Sequence, residues 1–200
     1  MSTASFKQAL HALTLISQKD PTLEGLNSLY QSGLLSDLLE ADPSKVNREE
    51  LRKSLGLTPL ELLIVVNYGQ PLNAMIVEGS YDWVNDDITA ERFPIVGEGR
   101  VELKAHLIHF NRVIGSDDVE KELEKMGKRP GKIEELLAFG RTYPEMQRKF
   151  PILALGSVAR IRGVRFVPYL SKDGSERELD LDWRDSGGWD EYCRFLAFDK

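Results

Sequence analysis

The sequence predicts an α+β protein in which a small helical region precedes a domain of strands and helices. Apolar residues recur at helical spacing over residues 5–56, and strand-like runs follow one another after residue 150. No strand–helix–strand repeat occurs, so a parallel doubly wound sheet is not expected. We therefore expect a helical region over 1–58, a strand and connector over 59–99, and a mixed domain over 100–200.

The helical region is expected to contain several short helices. In the first, apolar residues three or four apart lie on one face: Phe6, Leu10, Leu13 and Ile16. Pro21 can open a second helix that Gly33 ends, and LLSDLLEAD forms a third. Asn47 is a suitable N-cap for the helix REELRKSLG, and Gly56 is a suitable stop.

A strand is expected where the pattern changes at ELLIVVNYG. The bulky and β-branched residues 63–66 end at Gly69, which is typical of a buried strand. Residues 71–78 suit one or two helical turns, and residues 79–100 are mostly loop.

Residues 100–200 follow the order strand, helix, helix, antiparallel strands. RVELKAHLIHF predicts a strand, Ser116 is expected to cap a helix that Gly127 ends, and IEELLAFG predicts a second helix. Turn-forming residues separate the strand-like runs that follow, which are PILALGSV, VRFVPYL, RELDLDW and CRFLAF.

Two of these runs carry specific predictions. RELDLDW alternates between apolar and polar residues, so Leu179, Leu181 and Trp183 are expected to face the core. Pro168 has no backbone N–H, so VRFVPYL is expected to be an edge strand or to carry a bulge.

Composition and charge exclude several classes of protein. The net charge of −6 argues against a general phosphate-binding surface, so nucleic acid is not an expected partner. The amino terminus lacks the layout of a signal peptide, and the longest apolar run, LELLIVV, is too short to cross a bilayer. The single cysteine, Cys193, fits a reducing compartment. We expect a cytoplasmic protein with no membrane contact and no cofactor.

Several segments resemble a known fold. The strand LIHFNRVI, the capped helix, the segment MGKRPGKIEELLAFG and the terminal strand CRFLAF resemble the C-type-lectin-like fold. Lectins, formylglycine-generating-type proteins and the variable proteins of diversity-generating retroelements share that fold. The chain also resembles a set of uncharacterised bacterial proteins that combine YDWVNDDIT, FNR, RPxxxxELLAFG, FPILALGSV and a closing W…RFLA. The resemblance implies a scaffold whose last hairpins display a ligand-contacting face.

Departures from the fold family limit what the resemblance implies. Calcium-dependent lectins carry a Glu-Pro-Asn loop and paired disulfides, whereas this chain has neither, and its Trp83-Val84-Asn85-Asp86 is an interrupted Trp-Asn-Asp. Formylglycine-generating enzymes rely on a cysteine pair, which Cys193 alone cannot supply. No asparagine follows Asn111, and the positions around the last hairpin are Asp, Arg, Ser, Gly and Tyr. Adenine-directed diversification of asparagine codons would produce such residues, although ordinary turns use them as well.

No residue spacing specifies a catalytic or metal site. His106 and His109 lie three apart on a predicted strand and so point to opposite faces. Ser157 lacks the G-x-S-x-G elbow, and the acids between Asp180 and Glu191 suit a solvated hairpin face. Whether the chain is an enzyme stays open, with acid-catalysed hydrolysis as the weakest of the functions considered.

A non-enzymatic binding module is the function that these observations favour. Exposed Trp, Tyr and Arg side chains are typical anchors of interfaces. The predicted ligand-binding residues lie on the last hairpins and are Arg160, Arg165, Tyr169, Asp182, Arg184, Asp185, Trp189, Asp190, Tyr192 and Arg194. The partner is a protein or another ligand, and the alternative is a regulator whose N-terminal helices bind a partner or DNA.

Overall fold

The computed structural model describes residues 22–40, 62–185 and 187–200. The chain divides into two compact units, residues 1–60 and 61–200. The helices predicted before Pro21 and after Asn47 lie outside the described residues. The helices on which the alternative function rests, that of a regulator that binds a partner or DNA, fall largely on the same undescribed part of the chain.

Two predicted helices of the first unit are confirmed. Helix α1 spans Leu23–Gln31 and α2 spans Leu34–Glu40. The hydroxyl of Thr22 accepts a hydrogen bond from the Gly25 N–H at 3.0 Å, which satisfies one of the free donors at the start of α1. Gly33 ends α1 in the left-handed region, with φ of 76°, as its lack of a side chain allows.

Nine strands and three helices form the described part of the second unit. The helices are α3 (Leu72–Gly79), α4 (Ser116–Lys125) and α5 (Ile133–Thr142). The strands are β1 (Leu62–Asn67), β2 (Trp83–Val84), β3 (Arg100–Ile108), β4 (Lys128–Pro130), β5 (Ile152–Leu153), β6 (Ala159–Ile161), β7 (Val164–Asp173), β8 (Glu176–Trp183) and β9 (Arg194–Asp199).

All nine strands belong to one mixed sheet, so the fold is of the α+β type. The strand order is β1-β3-β9-β5-β7-β8-β2, with β4 also paired to β9 and β6 to β7. Most neighbours are antiparallel, and the exceptions are β5 with β9 and β2 with β8. The last strand lies beside β3, with His106 opposite Ala197 and Ile108 opposite Phe195.

Helices cover both faces of the sheet. On one face, α3 and α5 pack against a core that includes Leu170 and Leu196. On the other face, Val119 of α4 packs against a second core that includes Val167 and Phe195. Successive residues of β9 therefore enter different cores, which explains why CRFLAF is apolar without alternation.

The strand β1 differs from the buried strand that was predicted. It is an edge strand that pairs only with β3 among the described residues, and its Leu63 side chain is 42% exposed. Ile64 is buried because its face of the strand meets the core. Side chains of α5 cover the outer backbone of β1, since Tyr143 donates to the Leu63 carbonyl at 2.9 Å and Arg141 to the Val65 carbonyl at 2.8 Å.

For the C-terminal strands, the edge position that Pro168 suggested and the core position predicted for Trp183 are wrong. β7 is an interior strand, so Pro168 does not mark an edge. The Pro168 carbonyl accepts a hydrogen bond from the Ala154 N–H at 3.1 Å. Ala154 lies in the segment between β5 and β6, so Pro168 faces neither of these two strands. Trp183 does not face the core but is 48% exposed, because it is the last residue of β8.

Candidate functional site

The predicted ligand-binding residues differ widely in exposure. The exposed ones are Arg160, Asp182, Asp185, Asp190 and Tyr192. The half-buried ones are Arg165, Tyr169 and Arg194, and the buried ones are Arg184 and Trp189. We use the name C-terminal surface for the set Arg160, Arg165, Asp182, Asp185, Asp190 and Tyr192.

An ion pair joins the two hairpins of the C-terminal surface. Arg160 lies opposite Arg165 in the β6–β7 pair, so both side chains are on the same face. The Arg165 guanidinium donates to both carboxylate oxygens of Asp185, at 2.9 and 2.6 Å. This bidentate contact holds the pKa of Asp185 below its usual value. Arg160, Arg165 and Asp185 therefore form one polar group beyond the end of β8.

Arg184 lies in the interior, so its side chain is not available to a ligand. The chain turns after β8 and passes the first turn of α4, which is rich in acids. The Arg184 guanidinium donates to Asp117 at 2.9 Å and to Glu120 at 2.8 Å. These charge-assisted hydrogen bonds fasten the end of β8 to the start of α4.

Trp189 is also buried, at 4% exposure. Its indole N–H donates to the Ser116 hydroxyl at 3.0 Å, and that hydroxyl donates to the Arg184 carbonyl at 2.6 Å. The prediction that Ser116 caps α4 is wrong, because Gly115 is the N-cap residue and Ser116 is the first residue of the helix. We call Ser116, Arg184 and Trp189 the latch, since together they bind the loop between β8 and β9 to α4.

The loop fixed by the latch holds Tyr192 in solvent, with 66% of its surface exposed. Asp190 orders this part of the loop, because its carboxylate accepts from the Tyr192 N–H at 2.9 Å and from the Cys193 thiol at 3.4 Å. Burial, with the charge of Asp190 beside it, raises the pKa of the Cys193 thiol to about 12. The thiol is therefore protonated near neutral pH and is a poor nucleophile.

Tyr169 and Arg194 have partners of their own, and the Arg194 guanidinium also donates to the Tyr192 carbonyl at 2.9 Å. The Tyr169 hydroxyl donates to Asp180 at 3.1 Å, and Asp180 also accepts from the Asn85 amide at 2.7 Å. The Arg194 guanidinium lies 4.6 Å from the centre of the Phe150 ring, which packs against the core beneath α5. Neither residue belongs to the C-terminal surface.

Sequence reasoning missed some exposed apolar side chains near this surface. Trp183, which alternation places in the core, is exposed, and so is Val113, which lies beside the turn at Gly187 and Gly188. A Cβ atom at Gly188 would lie 2.9 Å from Val113 Cγ1, so Gly188 lets the two segments approach. The sequence signal that could have found Trp183 is its position at the last residue of a strand, where alternation no longer predicts burial.

The residues considered for catalysis have structural partners. Ser157 accepts from the Ile133 N–H at 2.9 Å and so caps α5. His106 lies 3.2 Å from Asp199, and His109 lies 2.8 Å from the Glu191 carbonyl. Across residues 22–40, 62–185 and 187–200, no three His, Cys, Asp or Glu side chains are grouped so that they could hold a metal ion.

Neither a membrane-spanning helix nor a known relative helps to assign a function to the described part of the chain. Within the part of the chain that the structure describes, no helix has both the length and the apolar character needed to cross a bilayer. Comparison of the chain with models of protein families, with curated proteins and with solved structures finds no match. Functional inference therefore rests on the geometry of this chain alone.

Proposed function

We propose that the chain is a non-enzymatic binding module that recognises a protein or another ligand through its C-terminal surface. The observation that carries this proposal is the contrast between the buried latch and the exposed Tyr192 only a few residues away. A loop that is already ordered loses little conformational entropy when it binds, and an exposed tyrosine offers a large contact area. The ion pair of Arg165 with Asp185 adds a polar group with fixed geometry.

The proposed scaffold for this surface is C-type-lectin-like. Three features support the proposal: the pairing of β3 with β9, the placing of α4 and α5 between those strands in the chain, and the β7–β8 hairpin. Diversification of the C-terminal segment, as in retroelement variable proteins, is proposed on the absence of asparagine after Asn111. The proposed compartment is the cytoplasm, which suits a single unpaired cysteine.

Site-specific crosslinking tests the proposed surface. A photo-crosslinking amino acid replaces Tyr192 in one variant and Val77, an exposed residue of α3, in another. We expect a defined partner to be labelled from position 192 and not from position 77.

Competition then measures the contribution of the tyrosine. Unlabelled wild-type chain should suppress labelling, whereas Tyr192→Ala should compete roughly 30-fold less well, since truncating an interface anchor costs about 2 kcal/mol. Tyr30→Ala removes another exposed tyrosine and should compete like the wild type. Equal competition by Tyr192→Ala, or equal labelling from position 77, would contradict the proposal.

A further inference from the structure

A small cleft lies apart from the C-terminal surface, between β1, α3 and α5. One face of α5, with Glu134, Leu137 and Arg141, forms one wall. Met75 and Glu78 of α3 form the facing wall. The cleft combines apolar walls with a few polar side chains, which is the usual composition of a small-ligand site.

Glu134 is the unusual residue of this cleft. The residue is 1% exposed, and its carboxyl group accepts hydrogen bonds from the backbone N–H groups of Val96 and of Glu134 itself. Its Oε1 atom, however, has no hydrogen-bond partner among the described residues. A buried carboxyl oxygen without a donor costs free energy, so buried acids are normally paired. None of the ion pairs within the described residues includes Glu134.

Glu78 and Arg141 neutralise each other beside the cleft. They form an ion pair, and the Gln70 amide donates to Glu78 at 2.6 Å. Arg141 also donates to the Val65 carbonyl at 2.8 Å, and it makes no hydrogen bond to Glu134 Oε1. Neither residue of this pair donates to Glu134 Oε1, so what that buried oxygen lacks among the described residues is a hydrogen-bond donor.

We propose that this cleft binds a primary ammonium group, with Glu134 as its acceptor. The narrow space in this open cleft suits about one water-sized group, and an ammonium head is of that size. Met75, Leu137 and Ala138 supply apolar contacts for the first carbons of an alkyl chain. A small alkylamine and a lysine side chain share this chemistry.

Proton exchange accompanies this binding. Burial raises the pKa of Glu134 above its usual value, and the neighbouring Glu135 raises it further. An ammonium ion pairs with the carboxylate form, so binding releases a proton wherever Glu134 is protonated, and affinity rises with pH until the amine itself loses its proton. The charged and titratable groups around Glu134 are Tyr68, Glu78, Arg129, Lys132, Glu135 and Arg141.

Calorimetric titration of the full chain with n-butylammonium chloride at constant ionic strength tests the site. We expect saturable binding to the wild type. In Glu134→Gln, which keeps the shape of the side chain but removes its charge, we expect the affinity to be at least roughly tenfold lower. Glu176→Gln removes one exposed carboxylate at the start of β8 and should bind like the wild type. n-Butanol and tetramethylammonium, which lack the charge or the donors, should not bind.

A measurement on the wild type guards against misfolding of the variant. The methyl carbon signal of Met75 should shift with the same saturation curve, whereas that of Met126, exposed at the end of α4, should stay in place. Titration with ammonium chloride measures the contribution of the head group without the alkyl chain. Titration with a lysine-containing tripeptide tests whether the ammonium group of a lysine side chain binds as a small alkylamine does. Absence of saturable binding, or equal binding to Glu134→Gln, overturns the proposal.

Discussion

Arg177 shows how a buried cation is stabilised in this protein without a salt bridge. Its side chain is buried, and no ion pair within the described residues includes it. The guanidinium donates to the carbonyls of Gly79 and Gly140, at 2.7 and 2.9 Å, and to the Gln147 side chain at 3.0 Å. Gly79 ends α3 and Gly140 lies in the last turn of α5, where helix dipoles concentrate negative charge.

Replacing this residue tests whether it joins the two helices to β8. Arg177→Met keeps the length of the side chain but leaves two buried carbonyls without donors. We expect the free energy of unfolding in urea to fall by about 2–6 kcal/mol, because each buried carbonyl that is left without a donor costs about 1–3 kcal/mol. Arg148→Met is the matched control, because Arg148 is partly exposed and should cost about 1 kcal/mol or less. Equal losses in the two variants would show that Arg177 has no special role.

At the scale of elements, the latch connects the loop between β8 and β9 to α4. Ser116→Ala removes both hydrogen bonds of the Ser116 hydroxyl and leaves the Trp189 indole N–H unpaired. We expect a loss of stability of about 1–3 kcal/mol and faster hydrogen exchange at the Trp189 backbone N–H, which pairs with the Ile114 carbonyl at 2.9 Å.

The matched control for the latch is Ser175→Ala in the exposed β7–β8 turn. That variant should leave both quantities unchanged. Unchanged exchange at Trp189 in Ser116→Ala would mean that the loop is ordered without the latch.

Local pattern predicted the longer elements because their own residues carry the signal. The stripe of Val119 and Leu123 marks α4, and the alternation of Leu179 and Leu181 marks β8. The sequence does not predict the strands β2, β4 and β6, since two or three residues are too few to show a period.

Tertiary partners explain what pattern could not predict. Pro168 is interior because β7 lies between β5 and β8 in the sheet. The order of strands in a sheet cannot be predicted from the residues of one strand. Arg184 and Trp189 are buried because α4, more than sixty residues earlier in the chain, supplies Asp117, Glu120 and Ser116. Of the ten residues predicted to bind a ligand, Arg184 and Trp189 are therefore buried, while the place of the site on the last hairpins stays a prediction.

At the scale of the whole molecule, Glu134 predicts a dependence of stability on pH. Its pKa is raised in the folded state from a model-peptide value of 4.5. Its contribution to stability is fully present below that unfolded value and is lost as pH rises through the folded pKa. Glu134→Gln cannot ionise, so its free energy of unfolding should increase relative to the wild type as pH rises from about 4 to 8.

Urea unfolding at several pH values, without amines, measures this difference. Carboxylates whose pKa is lowered, such as Glu78 and Asp185, stabilise both proteins as pH rises and therefore cancel in the comparison. Glu176→Gln should run parallel to the wild type. A constant gap between Glu134→Gln and the wild type would mean that Glu134 keeps its ordinary pKa.

The strand order also has a consequence for how the protein is made. Strand β9 connects two parts of the sheet, β1 with β3 on one side and β5 with β7 and β8 on the other, yet it is the last of these strands in the chain. A ribosome must therefore release residue 199 from its exit tunnel before the two parts can join. Until then, the nascent chain carries two incomplete sheets with unpaired edges, and this is the interval in which a chaperone would protect it.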